Sequence, residues 1–161
     1  ILAQLTGDAP DEQDSLFLGW AAALHEIGIS VAHNGYHKHG AYILTFADMP
    51  GFSNKDQARL ATLVLGHRGK LEKLAALPPG DPGWRLIFCL RLAVLLHRTR
   101  DDRELPPYVV RYGNDGFALE LPGRWLESHP WTAAALQEEG LVWRRIGVQF
   151  KVRTSAGTRG R

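Results

Sequence analysis

Asp11-Glu12-Gln13-Asp14 makes an acidic turn, after which Leu16, Trp20, Leu24 and Ile27 recur at steps of three and four residues. That spacing predicts one buried face of a helix that ends at Gly28. Ser30 to Gly40 has no period and contains two glycines, and Ala41 to Phe46 reads as a further short helix. After the Met49-Pro50-Gly51-Phe52 turn, Ser53 with Asp56 three residues on is a capping-box pattern ahead of Leu60, Leu63 and Val64, and this third helix runs to about His67. Pro78-Pro79-Gly80-Asp81-Pro82-Gly83 is a loop, and Trp84 to Arg98 is apolar on nearly every side, as the central helix of a bundle must be.

From Leu105 the period changes. Tyr108-Val109-Val110-Arg111-Tyr112 and Phe117-Ala118-Leu119-Glu120-Leu121, joined by Gly113-Asn114-Asp115-Gly116, predict a β-hairpin. Helical residues follow from Pro130 to Glu139, and Leu141 to Val152 alternates as a third strand would. The fold class is therefore mainly α. A helical bundle over 1–104 precedes a small α+β module over 105–152 with a three-stranded antiparallel sheet, and 153–161 form a basic, disordered tail.

Composition changes this picture little. With 161 residues, 45% of them hydrophobic, the chain can bury one real core. Its longest apolar run, Leu86 to Leu96, is broken by Arg91 and falls short of the roughly 20 residues a bilayer span needs, so no membrane partner is expected. The single cysteine, Cys89, rules out an intrachain disulfide and fits a reducing cytoplasm. The chain opens Ile1-Leu2-Ala3-Gln4 without an initiator methionine, which reads as a piece of a longer polypeptide. Its net charge of +2 owes everything to the last residues: Lys151, Arg153, Arg159 and Arg161 leave 15 basic against 17 acidic residues before them. Affinity for polyanions must come from local clustering, and no specific nucleic-acid partner is expected.

Such clustering exists. Four of the seven histidines lie between positions 25 and 39, in His25-Glu26 and in His33-Asn34-Gly35-Tyr36-His37-Lys38-His39-Gly40. Imidazoles so gathered bind a metal, meet an anion or pack a polar junction. Glycines that admit backbone N–H groups and a lysine point charge suit a phosphate cradle at 35–40, although no Walker-type GxxxxGK[ST] is present. A tight turn whose histidines satisfy carbonyls is the structural alternative. His25 and Glu26 suit a divalent metal, or equally a cap and a surface pair. Basic groups recur at Arg68, Lys70 and Lys73 and at Arg98. Arg91, inside an apolar helix, needs either a buried carboxylate or a groove open to anions.

Leu24-His25-Glu26-Ile27-Gly28, Gly35-Tyr36-His37-Lys38-His39-Gly40-Ala41-Tyr42, Pro50-Gly51-Phe52-Ser53 and Arg91-Leu92-Ala93-Val94-Leu95-Leu96-His97-Arg98 together resemble the C-terminal region of the bacterial Ppx/GppA family, the exopolyphosphatases and guanosine pentaphosphate phosphohydrolases. Gly123-Arg124-Trp125-Leu126 and His129-Pro130-Trp131-Thr132 resemble that family's terminal α+β piece. The resemblance implies that catalysis belongs to two N-terminal actin-like domains outside this chain, its partners within the same polypeptide. It implies an HD-like helical domain whose metal site is degenerate, since Glu26 stands where the Asp of His-Asp belongs, no histidine precedes His25, and Val94 replaces a later acid. It further implies no cofactor in this region, magnesium in the whole enzyme, inorganic polyphosphate as ligand and a homodimer. The expected polyphosphate-binding residues are His33, His37, Lys38 and His39, with Arg68, Lys70, Arg91 and Arg98. Two alternatives stand beside this. One is a metal-dependent phosphohydrolase of guanosine tetra- or pentaphosphate with His25, Glu26 and the loop histidines as ligands; the other is a purely structural interface module.

Overall fold

A computed structural model describes residues 1–7, 10–98 and 105–155. The elements follow in the order α1 (Leu2–Thr6), α2 (Glu12–Leu24), α3 (Tyr36–Phe46), α4 (Asn54–Gly66), α5 (Gly83–Leu96), β1 (Val109–Gly113), β2 (Gly116–Pro122), α6 (Gly123–Ser128), α7 (Pro130–Arg144) and β3 (Gln149–Ser155), with 3₁₀ turns at Ile27–Ser30 and Glu72–Leu74. The protein is mainly helical with a small α+β piece. Its contacts divide it into two compact units, one of residues 10–92 with Leu2, the other of residues 1, 3–9 and 93–161.

In the helical unit, α2 begins where the Asp11 side chain accepts from the Asp14 N–H at 3.0 Å. Its buried face is Phe17 and Ala21, while Leu16 and Trp20, the positions that periodicity marks as core, are 49% and 38% exposed. Trp20 is occupied at the edge instead, its ring 5.2 Å from Phe17 and 4.9 Å from Phe52. The expected capping box is present: Ser53 Oγ accepts from the Asp56 N–H and the Asp56 carboxylate accepts from the Ser53 N–H. Buried Gln57 donates its amide to the carbonyls of Leu44 and Ala47, answering groups that the end of α3 leaves without helical partners. Leu86 to Leu90 are all buried in α5, so the apolar run is core rather than a membrane segment. Among the described residues no helix is long and apolar enough to cross a membrane.

The stretch expected to form a loop up to Gly40 is corrected by the structure. Helix α3 starts at Tyr36, capped by Gly35 in the left-handed region at φ 70°. Gly40 is helical because its missing side chain lets α3 approach Val64; a Cβ there would stand 3.1 Å from Val64. Gly28 is more constrained still. A Cβ on it would lie 1.9 Å from the Tyr36 carbonyl oxygen, so the 3₁₀ turn seats directly against the start of α3.

In the second unit β2 is central, and its residues alternate strictly, with Phe117, Leu119 and Leu121 buried. β1 pairs with it antiparallel as the predicted hairpin, Val110 opposite Leu119. The third strand departs from expectation twice. It runs Gln149–Ser155, because Leu141 to Arg144 complete α7, and it pairs with β2 in parallel, Phe117 opposite Phe150, so the sheet is mixed rather than antiparallel. The cause is the connection: α6 and α7 carry the chain back to its starting end, which only a parallel return permits. Residues 153–155, expected in the tail, are strand; the rest of that tail lies outside the described residues. Trp143, fully buried on α7, packs its ring 5.1 Å from Phe117 and donates Nε1–H to Glu139 at 2.7 Å.

Candidate anion-binding site

Helix geometry brings the basic residues of the helical unit together. On α3, His37 lies on the inward side with Tyr36, Gly40 and Ala41, whereas His39 is rotated about 200° from His37 and takes no part in the cluster's ring contacts. His67 caps the C-terminal end of α4 and is buried, 3% exposed. Its ring stands 5.1 Å from His25, 5.5 Å from Tyr36 and 6.3 Å from His37. Arg68 lies over the Tyr36 ring at 5.0 Å, and exposed His33 stands 6.0 Å from the same ring. Gly69, at φ +74°, turns the chain so that His37 Nε2 and Lys73 Nζ both come within 3.5 Å of where its Cβ would be. Lys73 donates to the Arg68 carbonyl.

Charge and burial act in one direction here. Burial, and after it Lys73, Arg68, Lys38 and Arg91, together push His37 down to about 4. His67 is likewise pushed down to about 4 by burial, with His25, His37 and Lys73 adding to it and its bond to Val64 opposing. Lys73 falls to about 8 through burial and then through Arg91 and Lys38. Every charged side chain that moves these three groups is positive. Neutral imidazole therefore prevails at pH 7, and the His67 ring donates Nδ1–H to the Val64 carbonyl at 2.6 Å, which leaves Nε2 as a bare lone pair. Among the described residues, two ring nitrogens, His37 Nδ1 and His67 Nε2, are buried without a hydrogen-bond partner.

The domain assignment follows directly from sequence similarity. The family described as Ppx/GppA phosphatase, domain III, matches residues 2–140. The chain belongs to the Ppx/GppA phosphatase family. Guanosine-5'-triphosphate,3'-diphosphate pyrophosphatases are similar to it: that of Pseudoalteromonas translucida is 35% identical over 129 residues, 78% of this chain and 26% of the relative. That of Vibrio vulnificus is 33% identical over 146 residues, 86% of this chain and 29% of the relative. That of Vibrio campbellii is 34% identical, over 96% of this chain and 32% of the relative. The chain thus spans about a quarter to a third of the length of these relatives.

Within this domain III the residues singled out from sequence separate into groups. His37, Lys38 and Arg68 belong to the cluster and His33 to its margin. Arg91 is buried at 5% exposure and donates from Nη1 to the carbonyls of Gly66 and Gly69 at 2.8 and 3.1 Å, so it holds the turn after α4 while lending its charge to His37 and Lys73. Lys70 is exposed beside Gly69, and Arg98 is assigned to the other unit. His67 and Lys73 were missed as site residues, since near a helix end both read as partners of its dipole. The signal was Gly69 between two basic pairs, which turns the chain back on itself.

A divalent cation does not fit the gathered groups. His25 donates Nδ1–H to the Ala22 carbonyl, 2.7 Å away, and its ring stands edge-on to His67. Among the described residues no three His, Cys, Asp or Glu side chains converge as a metal site requires. What the arrangement offers is a concentration of donors and positive charge, the chemistry of an oxyanion site.

Proposed function

We propose that this chain is the phosphoanion-binding C-terminal region of a Ppx/GppA phosphohydrolase, gripping inorganic polyphosphate on the cluster of His37, Lys38, His67, Arg68 and Lys73. Catalysis, and the magnesium that serves it, belong to actin-like domains elsewhere in a cytoplasmic enzyme. One observation supports the reading: Lys73 and Arg68 come together with His37, His67 and Lys38 around Tyr36 and Gly69, and the neighbouring cations add to burial in lowering His37 and Lys73, a charge density that a bound polyanion would relieve. The names of the relatives favour a second ligand of the same chemistry, guanosine pentaphosphate, which also presents a short phosphate chain.

Calorimetric titration of the chain with long-chain polyphosphate tests this. Neutralising about three phosphates gives a salt slope of roughly −2 to −3, so affinity should fall at least about a hundredfold between about 50 and about 500 mM salt. Arg68→Ala combined with Lys73→Ala should flatten that slope. Equal affinity at both salts would refute the proposal, and manganese-dependent turnover of guanosine pentaphosphate lost in His25→Ala would put a hydrolase in its place.

Dimerisation has its own support. Tyr42 and Phe46 pair 4.7 Å apart on α3 while 67% and 70% exposed, an aromatic patch suited to a second copy. Sedimentation of the wild type and of Tyr42→Ser/Phe46→Ser reads this directly: a dimer lost in the variant supports it, and a monomeric wild type rejects it.

A further inference from the structure

We propose that the outer edge of β3, with the groove beside it on α6 and α7, takes an extended segment of another polypeptide as a fourth strand, its residues alternating apolar and acidic. The surface lies wholly within the second unit and uses none of the phosphoanion cluster.

The sheet has two outer edges, because its order is β1-β2-β3. At β1 the edge is taken: the Val110 N–H donates to Gln4 Oε1 at 2.6 Å, and Gln4 Nε2 donates to the Tyr108 carbonyl at 3.4 Å. At β3 it is open. The Gln149 N–H donates to the Asp115 carbonyl, which fixes the alternation of a parallel ladder, so Lys151 and Arg153 also bond towards β2. Val152 and Thr154 therefore turn their N–H and C=O groups outward. Among the described residues no hydrogen bond meets these outward groups. Helix α7 comes close to the strand's backbone one step earlier, at Phe150, where a Cβ on Gly140 would stand 3.2 Å from the carbonyl oxygen.

Alternate side chains of a strand point to opposite faces, and here the two faces differ in chemistry. Phe150, Val152 and Thr154 line a groove of about 580 Å³ together with Leu126, Leu136 and Leu141, and Glu138 and Arg144 add charge of both signs. That volume falls within the roughly 300–1,000 Å³ of clefts that hold ligands. On the other face stand Lys151 and Arg153, both exposed. Lys151 Nζ lies 3.9 Å from Asp115, and Glu120, the neighbour of Arg153 in register, accepts from Arg111 at 3.2 Å. A strand laid against β3 thus meets apolar surface with every second residue and cations with the others, over about 5 residues at roughly 3.3 Å each.

Charge selects the occupant. Two β3 strands paired antiparallel about Val152 set Lys151 opposite Arg153 twice over, and like charges directly opposite each other disfavour the pair. A second copy is the wrong partner. The residues that follow β3 hold Arg159 and Arg161 and no acid, so they do not complement the edge either. Acidic side chains opposite Lys151 and Arg153, with apolar ones between them, satisfy both faces at once.

The test titrates the chain into two short labelled peptides, one alternating valine with glutamate and one alternating valine with lysine, followed by fluorescence anisotropy and amide hydrogen exchange. Two cross-strand charge pairs, attractive with the first peptide and repulsive with the second, should give about a tenfold preference for the acidic one. Lys151→Glu combined with Arg153→Glu should reverse that preference, with folding of the variant checked by circular dichroism. Binding should slow exchange of the Val152 and Thr154 amides, and Leu141→Glu, at a helical position 45% exposed, should weaken it. Absence of binding, equal affinity for the two peptides, or unchanged exchange at Val152 and Thr154 overturns the proposal. Protection of those amides that grows with the concentration of the chain alone also overturns it, and puts a second copy on the edge.

Discussion

Replacing His67 by Asn tests the electrostatics of the cluster without any ligand. The Asn amide keeps a donor for the Val64 carbonyl, 2.6 Å from His67 Nδ1, but cannot titrate. In the native protein His67 sits at about 4 against an ordinary 6.5, its burial being the main cause and His25, His37 and Lys73 adding to it. As pH falls through 6.5 the unfolded chain takes a proton that the folded one refuses, so stability declines from there and the loss levels off below about 4. At 1.36 kcal/mol per pKa unit the loss is about 3 kcal/mol. The His67→Asn variant escapes it. Urea unfolding followed by circular dichroism from pH 7.5 to 4 should therefore show wild type and variant converging by about 3 kcal/mol, equal to about 1.5 M in midpoint for a slope near 2 kcal/mol/M. A stability gap that stays constant with pH, or a His67 imidazole resonance titrating near 6.5, would refute the reasoning.

Gly28→Ala should cost about 3 kcal/mol, read as a fall in thermal midpoint, because the added carbon would stand 1.9 Å from the Tyr36 carbonyl and α3 must move to admit it. Arg91→Met leaves the carbonyls of Gly66 and Gly69 without its guanidinium and should cost about 2 to 3 kcal/mol in urea unfolding; it should also raise the pKa of His37 in an NMR titration, since one of the cations lowering it is gone. Cys89 is buried and pushed up to about 12, so aromatic disulfide reagents at pH 8 should react at the rate of unfolding, and rapid labelling of the native protein would contradict its placement.

Local signals were the legible ones. Ser53 with Asp56 announced α4, the glycine-bounded Asn114-Asp115 announced the hairpin, and the apolar density around Phe88 announced a core helix, each because the chemistry lies within a few residues. Periodicity erred on α2, where Leu16 and Trp20 fit a helical stripe as well as Phe17 and Ala21 do, and only the position of α4 and Phe52 selects between them. The third strand erred for a related reason. Leu141 to Arg144 alternate acceptably as strand, but Trp143 gains more as a helical residue against Phe117.

By itself the sequence determined a mainly helical chain ending in a small α+β piece, and it marked histidines and cations as the residues with chemistry, because helix caps, tight turns and apolar runs are written in neighbouring positions. The tertiary structure decided which of those residues meet. His67 and Lys73 join His37 and Arg68 only because Gly28 lets the 3₁₀ turn close on α3, Gly40 lets α3 approach α4, and Arg91 ties down the turn at Gly69. Electrostatic shifts depend on separation in space and on burial, and neither is encoded in the spacing of letters along the chain.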